Sequence, residues 1–341
     1  MKILITGAGG FIGSFIVERA LASGYEVWAG VRVTSNRCWL TDRRINFINL
    51  DFQNCRSLRH ELEIFKREEG RWDYIVHAAG VTKARNESDF FKVNYEGTRL
   101  FVNLLKEFEM IPERFLYMSS FSVVGAPDEK PAPQADGWLY RPITPEDRPQ
   151  PNTAYGRSKL AAEQFLKSEK NFPVVILRPT GVYGPRERDY FMLARSIARH
   201  IDFAVGLKPQ EITFIYVRDL ADAVFIALQK GKAGQSYLLS DGKTYNSRTF
   251  SDLLQKELGV KRVLHIKAPL WLLRIVCGVS QIFSDVTGQM TALNNDKYNI
   301  LKQRNWRCDI SEARSLGYRP KYDLEAGVRE TVAWYKQQKW I

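Results

Sequence analysis

Cysteine and histidine are scarce in this chain. Four cysteines, Cys38, Cys55, Cys277 and Cys308, are scattered over 341 residues with no C-x-x-C and no paired spacing. That pattern argues against a disulfide framework and a zinc site, and it suits a reducing compartment. The four histidines form no ligand pair, so no metal centre is expected. Long hydrophobic runs are missing as well. The most apolar late stretch, residues 268–283, is broken by Arg274 and is too short to span a bilayer, so no integral membrane segment is expected. Lys2-Ile3-Leu4-Ile5-Thr6 enters a strand-like run at once and meets Gly7, which leaves no room for a signal peptide. Together these absences predict a cytoplasmic location.

Acidic residues are outnumbered. Lys and Arg total 50 against 38 Asp and Glu, for a net charge of +12. There is nevertheless no long Lys/Arg run and no recognisable nucleic-acid module, so no nucleic-acid partner is expected and the excess reads as a basic, solvated surface.

What is present is alternation. Apolar strand-like runs at residues 2–6, 26–31, 45–50, 74–78, 114–119 and 174–178 are separated by amphipathic stretches at 11–23, 57–69, 90–108 and 154–168. Continuous apolar strands alternating with helices predict an α/β fold, a doubly wound parallel sheet of the Rossmann type covered on both faces. Gly24 and Gly70 stand where helices end. Residues 125–153 are proline-rich and aperiodic, a loop between two chemistry-bearing motifs that reads as substrate-side. After Pro179 the pattern is mixed, with helices near 217–230, 247–258 and 324–339. The division expected is a nucleotide-binding domain over 1–178, joined by part of 209–235. A smaller, discontinuous substrate domain is drawn mostly from 179–341.

Thr6-Gly7-Ala8-Gly9-Gly10-Phe11-Ile12-Gly13 joins the first strand to the first helix. In that setting backbone N–H groups approach a pyrophosphate, and the helix N-terminus offers partial positive charge. Gly7, Gly10, Phe11, Ile12 and Gly13 are therefore expected against a dinucleotide. An NAD-preferring site places an acidic residue about 20 residues further on. Between Gly30 and Arg37 there is none. Arg32 and Arg37 stand there instead, so a 2′-phosphate on Arg32, and NADP(H) favoured over NAD(H), is the expectation.

Tyr155 and Lys159 lie four apart at the start of an amphipathic stretch, hence on one helix face. A neighbouring ammonium draws a phenol down from its ordinary value near 10 toward useful acid–base chemistry. Ser119 and Ser120 end a strand, at the sheet edge where sites of this architecture form.

These motifs, in this order, resemble the extended short-chain dehydrogenases/reductases. The superfamily includes nucleotide-sugar epimerases and dehydratases, dihydroflavonol reductases and hydroxysteroid dehydrogenases. Asp51-Phe52, His77-Ala78-Ala79-Gly80, Asn94 in Val93–Thr98, and Arg178-Pro179-Thr180-Gly181-Val182-Tyr183-Gly184-Pro185 extend the likeness over nearly the whole chain. The resemblance implies that Tyr155 is the general acid/base and that Lys159 lowers its pKa while holding the nicotinamide ribose. It implies that Ser120, one register ahead of Ser119, binds the substrate oxygen. Asp51 and Phe52 would flank the adenine, Ala79 and Gly80 would line the cofactor, Asn94 would support the site, and Val182 would meet the nicotinamide through its backbone.

Two departures narrow the expected chemistry. Dehydratases of the superfamily carry an Asp-Glu pair directly after the hydroxyl, where this chain has Phe121-Ser122. Its nucleotide-sugar enzymes commonly hold the substrate diphosphate with an arginine near the place of Ile212 or Thr213, and here Glu211 stands beside them, with Arg186 or Arg188 as substitutes from another loop. The expected enzyme interconverts a carbonyl and a secondary alcohol on a mostly apolar small molecule. A nucleotide-sugar epimerase with retained NAD is the alternative, and a catalytically silent cofactor-sensing protein is the third reading. Residues 269–273 and Trp306 are expected to wall an apolar pocket, to fill ordinary core or to form a homodimer surface.

Overall fold

In the computed structural model, which describes residues 1–287 and 295–341, β1 (Lys2–Thr6) leads into α1 (Phe11–Ala22), β2 (Glu26–Val31), β3 (Asn46–Asn49) and α2 (Cys55–Glu69). Next come β4 (Tyr74–His77), α3 (Glu87–Phe91), α4 (Gly97–Glu107), β5 (Arg114–Met118), α5 (Ala154–Ser168) and β6 (Val174–Pro179). The later chain forms β7 (Gly181–Tyr183), α6 (Asp189–Ala198), β8 (Ile201–Val205), β9 (Glu211–Ile212), β10 (Phe214–Tyr216) and α7 (Val217–Lys230). It continues as β11 (Ser236–Leu239), β12 (Tyr245–Asn246), α8 (Thr249–Leu258), β13 (Leu264–Ala268) and α9 (Leu270–Thr287). It ends with α10 (Asn295–Lys302), α11 (Ser311–Ser315) and α12 (Leu324–Gln337).

Seven strands build one parallel sheet in the order β11-β6-β5-β4-β1-β2-β3. The six-strand part is the Rossmann order, and it reverses between β1 and β4. Alternation along β1 explains the two covered faces. Ile3 and Ile5 pack with Phe15, Ile16, Leu220 and Val224 of α1 and α7, whereas Leu4 packs with Leu58, Leu62, Phe101 and Leu105 of α2 and α4. Local signals set the ends. Asn54 accepts the Ser57 N–H to begin α2, Gly70 at φ 84° ends it, and Thr153 accepts the Gly156 N–H to begin α5.

One helix expected over 90–108 is divided: α3 passes through a π-turn at Lys92–Glu96 before α4. The wider turn carries Asn94, whose side chain is wholly buried and bonded to two other segments. The late chain adds three two-stranded sheets, β10/β7, β12/β9 and β13/β8, that the mixed pattern did not reveal. Strands of two to five residues are too short to register as a period. A separate cluster of Tyr183, Phe214, Tyr216, Phe250, Leu254, Val328 and Tyr335 holds this part together.

Candidate active site

The sheet order reverses where β1 and β4 lie side by side, and their two exit loops meet there. Gly7 has φ 67°, and a Cβ on it would lie 2.8 Å from the carbonyl oxygen of Ala78 and the nitrogen of Ala79. A Cβ at Gly13 would lie 2.2 Å from the Gly7 carbonyl oxygen, so α1 enters against bare backbone. No side chain caps α1, and no acidic residue lies in its first turn. Its N–H groups therefore face the crevice without a competing anion, which fits a dinucleotide pyrophosphate.

Beneath the crevice runs a buried polar chain. The Thr6 hydroxyl accepts the Ala79 N–H at 3.1 Å and bonds His77 Nδ1 at 2.9 Å, and His77 Nε2 bonds Thr98 at 3.1 Å. Burial, with the Lys159 charge adding to it, holds His77 down to about 3, so the ring is neutral. Its task is to fix the β4 exit loop.

The loop after β2 folds back over the glycine turn, with the Asn36 carbonyl oxygen 2.6 Å from where a Gly9 Cβ would be. Ser35 closes that loop on the Arg32 N–H. The Arg37 guanidinium lies over the Phe47 ring at 4.7 Å. Arg32 is exposed, and among the described residues its guanidinium has no hydrogen bond or ion pair. Asp51 is half-buried and accepts the Gln53 N–H, and Phe52 turns its ring edge-on to His77 and toward Phe101.

At the C-terminal edge of β5 the two serines separate. Ser119 is buried and donates to Glu163 Oε1 at 2.5 Å, and Glu163 also receives Arg178 in a buried two-pronged pair. Ser120 is half-buried, accepts the Ser122 N–H and donates to Ser122 Oγ at 3.0 Å, and its hydroxyl stands near enough to the Tyr155 phenol to draw it down. Burial pushes the Tyr155 phenol up to about 12, against the opposing pull of the Ser120 hydroxyl.

Lys159 is brought to the same place but does not act on Tyr155 here. Its ammonium donates to the Met118 carbonyl at 2.8 Å and lies 4.8 Å from the Tyr117 ring centroid. Burial lowers it to about 8, with the Glu163 carboxylate pulling it back up. A Cβ on Gly80 would stand 2.9 Å from Asn94 Oδ1 and 3.2 Å from Lys159 Nζ, so only glycine leaves that floor open. Asn94 accepts the Val81 N–H at 2.9 Å and donates to the Val81 carbonyl and to Ser158 Oγ, tying the β4 exit loop to the helix of Tyr155.

Two supports lie outside what the sequence revealed. The Asp296 carboxylate, on α10, accepts the Ala154 N–H at 2.9 and 3.0 Å and the Tyr155 N–H at 3.4 Å. Nothing in the spacing ties residue 296 to α5. The Glu163–Arg178 pair had a weak signal only, a glutamate and an arginine facing inward from segments otherwise apolar.

In the later chain, Glu211 is buried and accepts the Leu139 and Tyr140 N–H groups, pinning the proline-rich loop. Arg186, expected as a substitute from another loop, is engaged elsewhere. It bonds Ser14 and Glu18 and lies between the Phe15 and Trp39 rings, 4.4 and 4.8 Å from their centroids. Arg188 is exposed and Val182 sits half-buried on β7. Trp306 packs by Phe121, directly after Ser120, at 6.2 Å between centroids. Of residues 269–273, Trp271 is 66% exposed and Leu272 40%, and only Leu273 is buried. Of the longer stretch 268–283, the side chains from 279 onward lie outside the described residues. No metal-binding cluster of His, Cys, Asp or Glu occurs among the described residues, and none of their helices is long and apolar enough to cross a membrane.

The profile of the NAD dependent epimerase/dehydratase family matches residues 3–246. Over its full length the chain is 25% identical to the full length of sterol demethylase protein B of Methylococcus capsulatus. It is 24% identical to human dTDP-D-glucose 4,6-dehydratase over 98% of this chain and 90% of that one. The solved dTDP-glucose 4,6-dehydratase of Bacillus anthracis, in complex with NAD, superposes with a TM-score of 0.75 at 20% identity, covering 100% of this chain and 98% of that one. With its glycine turn, its reversal at β1/β4 and a match over most of its length, the chain belongs to the NAD dependent epimerase/dehydratase family, enzymes of the extended short-chain dehydrogenase/reductase type.

Proposed function

We propose that this enzyme interconverts a carbonyl and a secondary alcohol on a mostly apolar small molecule, with NADP(H) favoured over NAD(H). The observation that carries the reading is the Ser120–Tyr155 hydroxyl pair at the sheet edge, above a buried lysine and beside the glycine turn. A bound nicotinamide cofactor supplies or accepts the hydride. The chain's own residues handle the oxygen and the proton. In reduction, the substrate oxygen accepts the Tyr155 proton, and Ser120 turns its hydroxyl from Ser122 to donate to the same oxygen. A phenol held at about 12 arrives protonated, as a proton donor requires. In the oxidising direction Tyr155 must lose that proton, and a cation brought close is what lowers the barrier. Lys159, 4% exposed and held at Met118, is the residue within the site able to do so once the crevice is filled. Gly7, Gly10, Phe11, Ile12 and Gly13 would hold the pyrophosphate, Arg32 the 2′-phosphate, Asp51 and Phe52 the adenine. Ala79, Gly80 and Val182 would line the nicotinamide side, with Asn94 keeping the floor in place.

Three observations favour an apolar substrate. Phe121 and Ser122 replace the acid and base of the dehydratases, and Phe121 is buried on Trp306. The carboxylate of Glu211 stands where a diphosphate would need a cation, and Arg186 is engaged elsewhere. The full-length match to a sterol demethylase protein agrees with this chemistry.

A panel of apolar ketones with NADPH tests the reading, together with Tyr155→Phe. That variant should lose ~10²-fold or more in turnover while still binding nucleotide. Near-wild-type turnover in Tyr155→Phe would place the proton chemistry elsewhere. A nucleotide sugar bound with a low-micromolar constant, about −8 kcal/mol, would overturn the apolar substrate in favour of the epimerase.

A further inference from the structure

The ribbon of β8 and β13 has an unusual face. The two strands pair in parallel, with Leu264 beside Ile201, Ile266 beside Phe203 and Ala268 beside Val205. Side chains at alternate positions share a face, so this one is entirely apolar. It is not covered: Phe203 is 60% exposed, Leu264 64% and Ile266 37%. Helix α9 follows after Pro269 and repeats the pattern. Leu273 and Cys277, four apart, are buried against the protein, while Trp271, Leu272, Ile275 and Val276 are 66, 40, 56 and 41% exposed. At 3.6 residues per turn those four occupy an arc of about 140°. Leu207, two residues past β8, is 75% exposed.

Charge identifies what such a surface fits. Along 196–210 and 259–278 the basic residues are Arg199, Lys208, Lys261, Arg262, Lys267 and Arg274, with His200 and His265. The single acidic residue there, Asp202, is 2% exposed and is bonded to His265 at 3.0 Å, with Arg248 at 3.6 Å. Every exposed full charge in these segments is thus positive, set around exposed aromatic and aliphatic side chains. A second copy would bring the same positive rim against its own, in a chain already at +12. A nucleic acid would leave the apolar side chains without use. Apolar residues inserted beside lysines and arginines are the chemistry of the interface of an anionic bilayer.

We propose that the β8–β13 ribbon and α9 seat the enzyme on the surface of a bilayer containing anionic lipid. Trp271, Ile275, Phe203 and Leu264 enter the headgroup region, and Arg274, one helical turn from Trp271, contacts the lipid phosphates. The seat lies on the surface, since no described helix can span. It stands independently of the hydride chemistry proposed above.

Flotation of the full-length protein with vesicles tests it. Vesicles of phosphatidylcholine mixed with phosphatidylglycerol should carry the protein up, at least ~tenfold more strongly than phosphatidylcholine alone, and the difference should shrink in high salt. Trp271→Ser combined with Ile275→Ser should abolish flotation, and Arg274→Gln should weaken it ~5-fold. These side chains are exposed, so circular dichroism and thermal melting should match wild type and confirm that the variants fold. Equal flotation on both vesicle types, none on either, or undiminished flotation of the double serine variant overturns the proposal. A dimer that the double variant converts to monomer, with no flotation, would overturn it in favour of an interface between copies. Capture by an acidic protein without vesicle binding would overturn it too.

Discussion

The crevice at β1, β4 and β5 and the ribbon at β8 and β13 are both small parallel arrangements, yet they treat polar and apolar groups in opposite ways. In the crevice, polar side chains go inside and find partners: Thr6, His77 and Thr98 in one chain, Asn94 with Val81 and Ser158, Ser119 and Arg178 on Glu163. In the ribbon, Phe203, Leu264 and Ile266 stay exposed. The first arrangement spends burial on fixing loops for chemistry. The second keeps apolar area available. Satisfied buried networks are rigid and intolerant of change, whereas exposed side chains contribute little to folding. Surface without contacts to lose can be altered without unfolding the protein.

The sharpest way to break this contrast is at Glu163. Glu163→Ala leaves Arg178 charged, buried and without its carboxylate, and should cost ~3–5 kcal/mol in urea unfolding. A loss as small as that of a surface change would mean the network is not a structural unit. Arg32 probes an exposed group on the crevice's rim. Arg32→Ala should weaken NADP(H) by tenfold or more, ~1.5–3 kcal/mol, with stability unmoved, as nucleotide titration would show. Equal binding of both nucleotides by the wild type would remove the case for a 2′-phosphate contact.

His77 offers a pH test of the same contrast. Its folded value, about 3, lies below the ordinary 6.5, so the unfolded chain takes up a proton that the folded one refuses. The stability it contributes is complete above pH 6.5 and is lost as pH falls toward 3. Between pH 8 and 5 this amounts to about 2 kcal/mol, and a His77→Gln variant should show a shallower decline by that amount. Identical slopes would show that the ring is not held neutral. The smallest effect is expected on the ribbon side, where Trp271→Ser should shift unfolding by no more than ~0.5 kcal/mol. A large destabilisation there would mean that Trp271 is core in solution.

Local chemistry made much of this protein readable. The glycine turn, the alternation of apolar strands with amphipathic helices, and a tyrosine and lysine one helical turn apart are short-range patterns, and apart from the stretch 90–108 they gave the elements of the nucleotide-binding part within a residue or two. The choice between Ser119 and Ser120 was different. Their neighbours in sequence are the same, and only the fold sends one to Glu163 and the other to Tyr155. The break of α3 and α4 around Asn94, the capping of α5 by Asp296, and the engagement of Arg186 between Phe15 and Trp39 likewise arise from partners 13 to 172 residues away. So does the fate of the apolar run after Pro269. Hydrophobicity alone predicts burial for Trp271 and Leu273 alike. A helix seated along Leu273 and Cys277 has only one covered side, and the opposite stripe is left in water. Periodicity and turn chemistry act over a few residues and are written in the sequence; which groups meet across the crevice, and which face is left uncovered, is decided when distant segments pack.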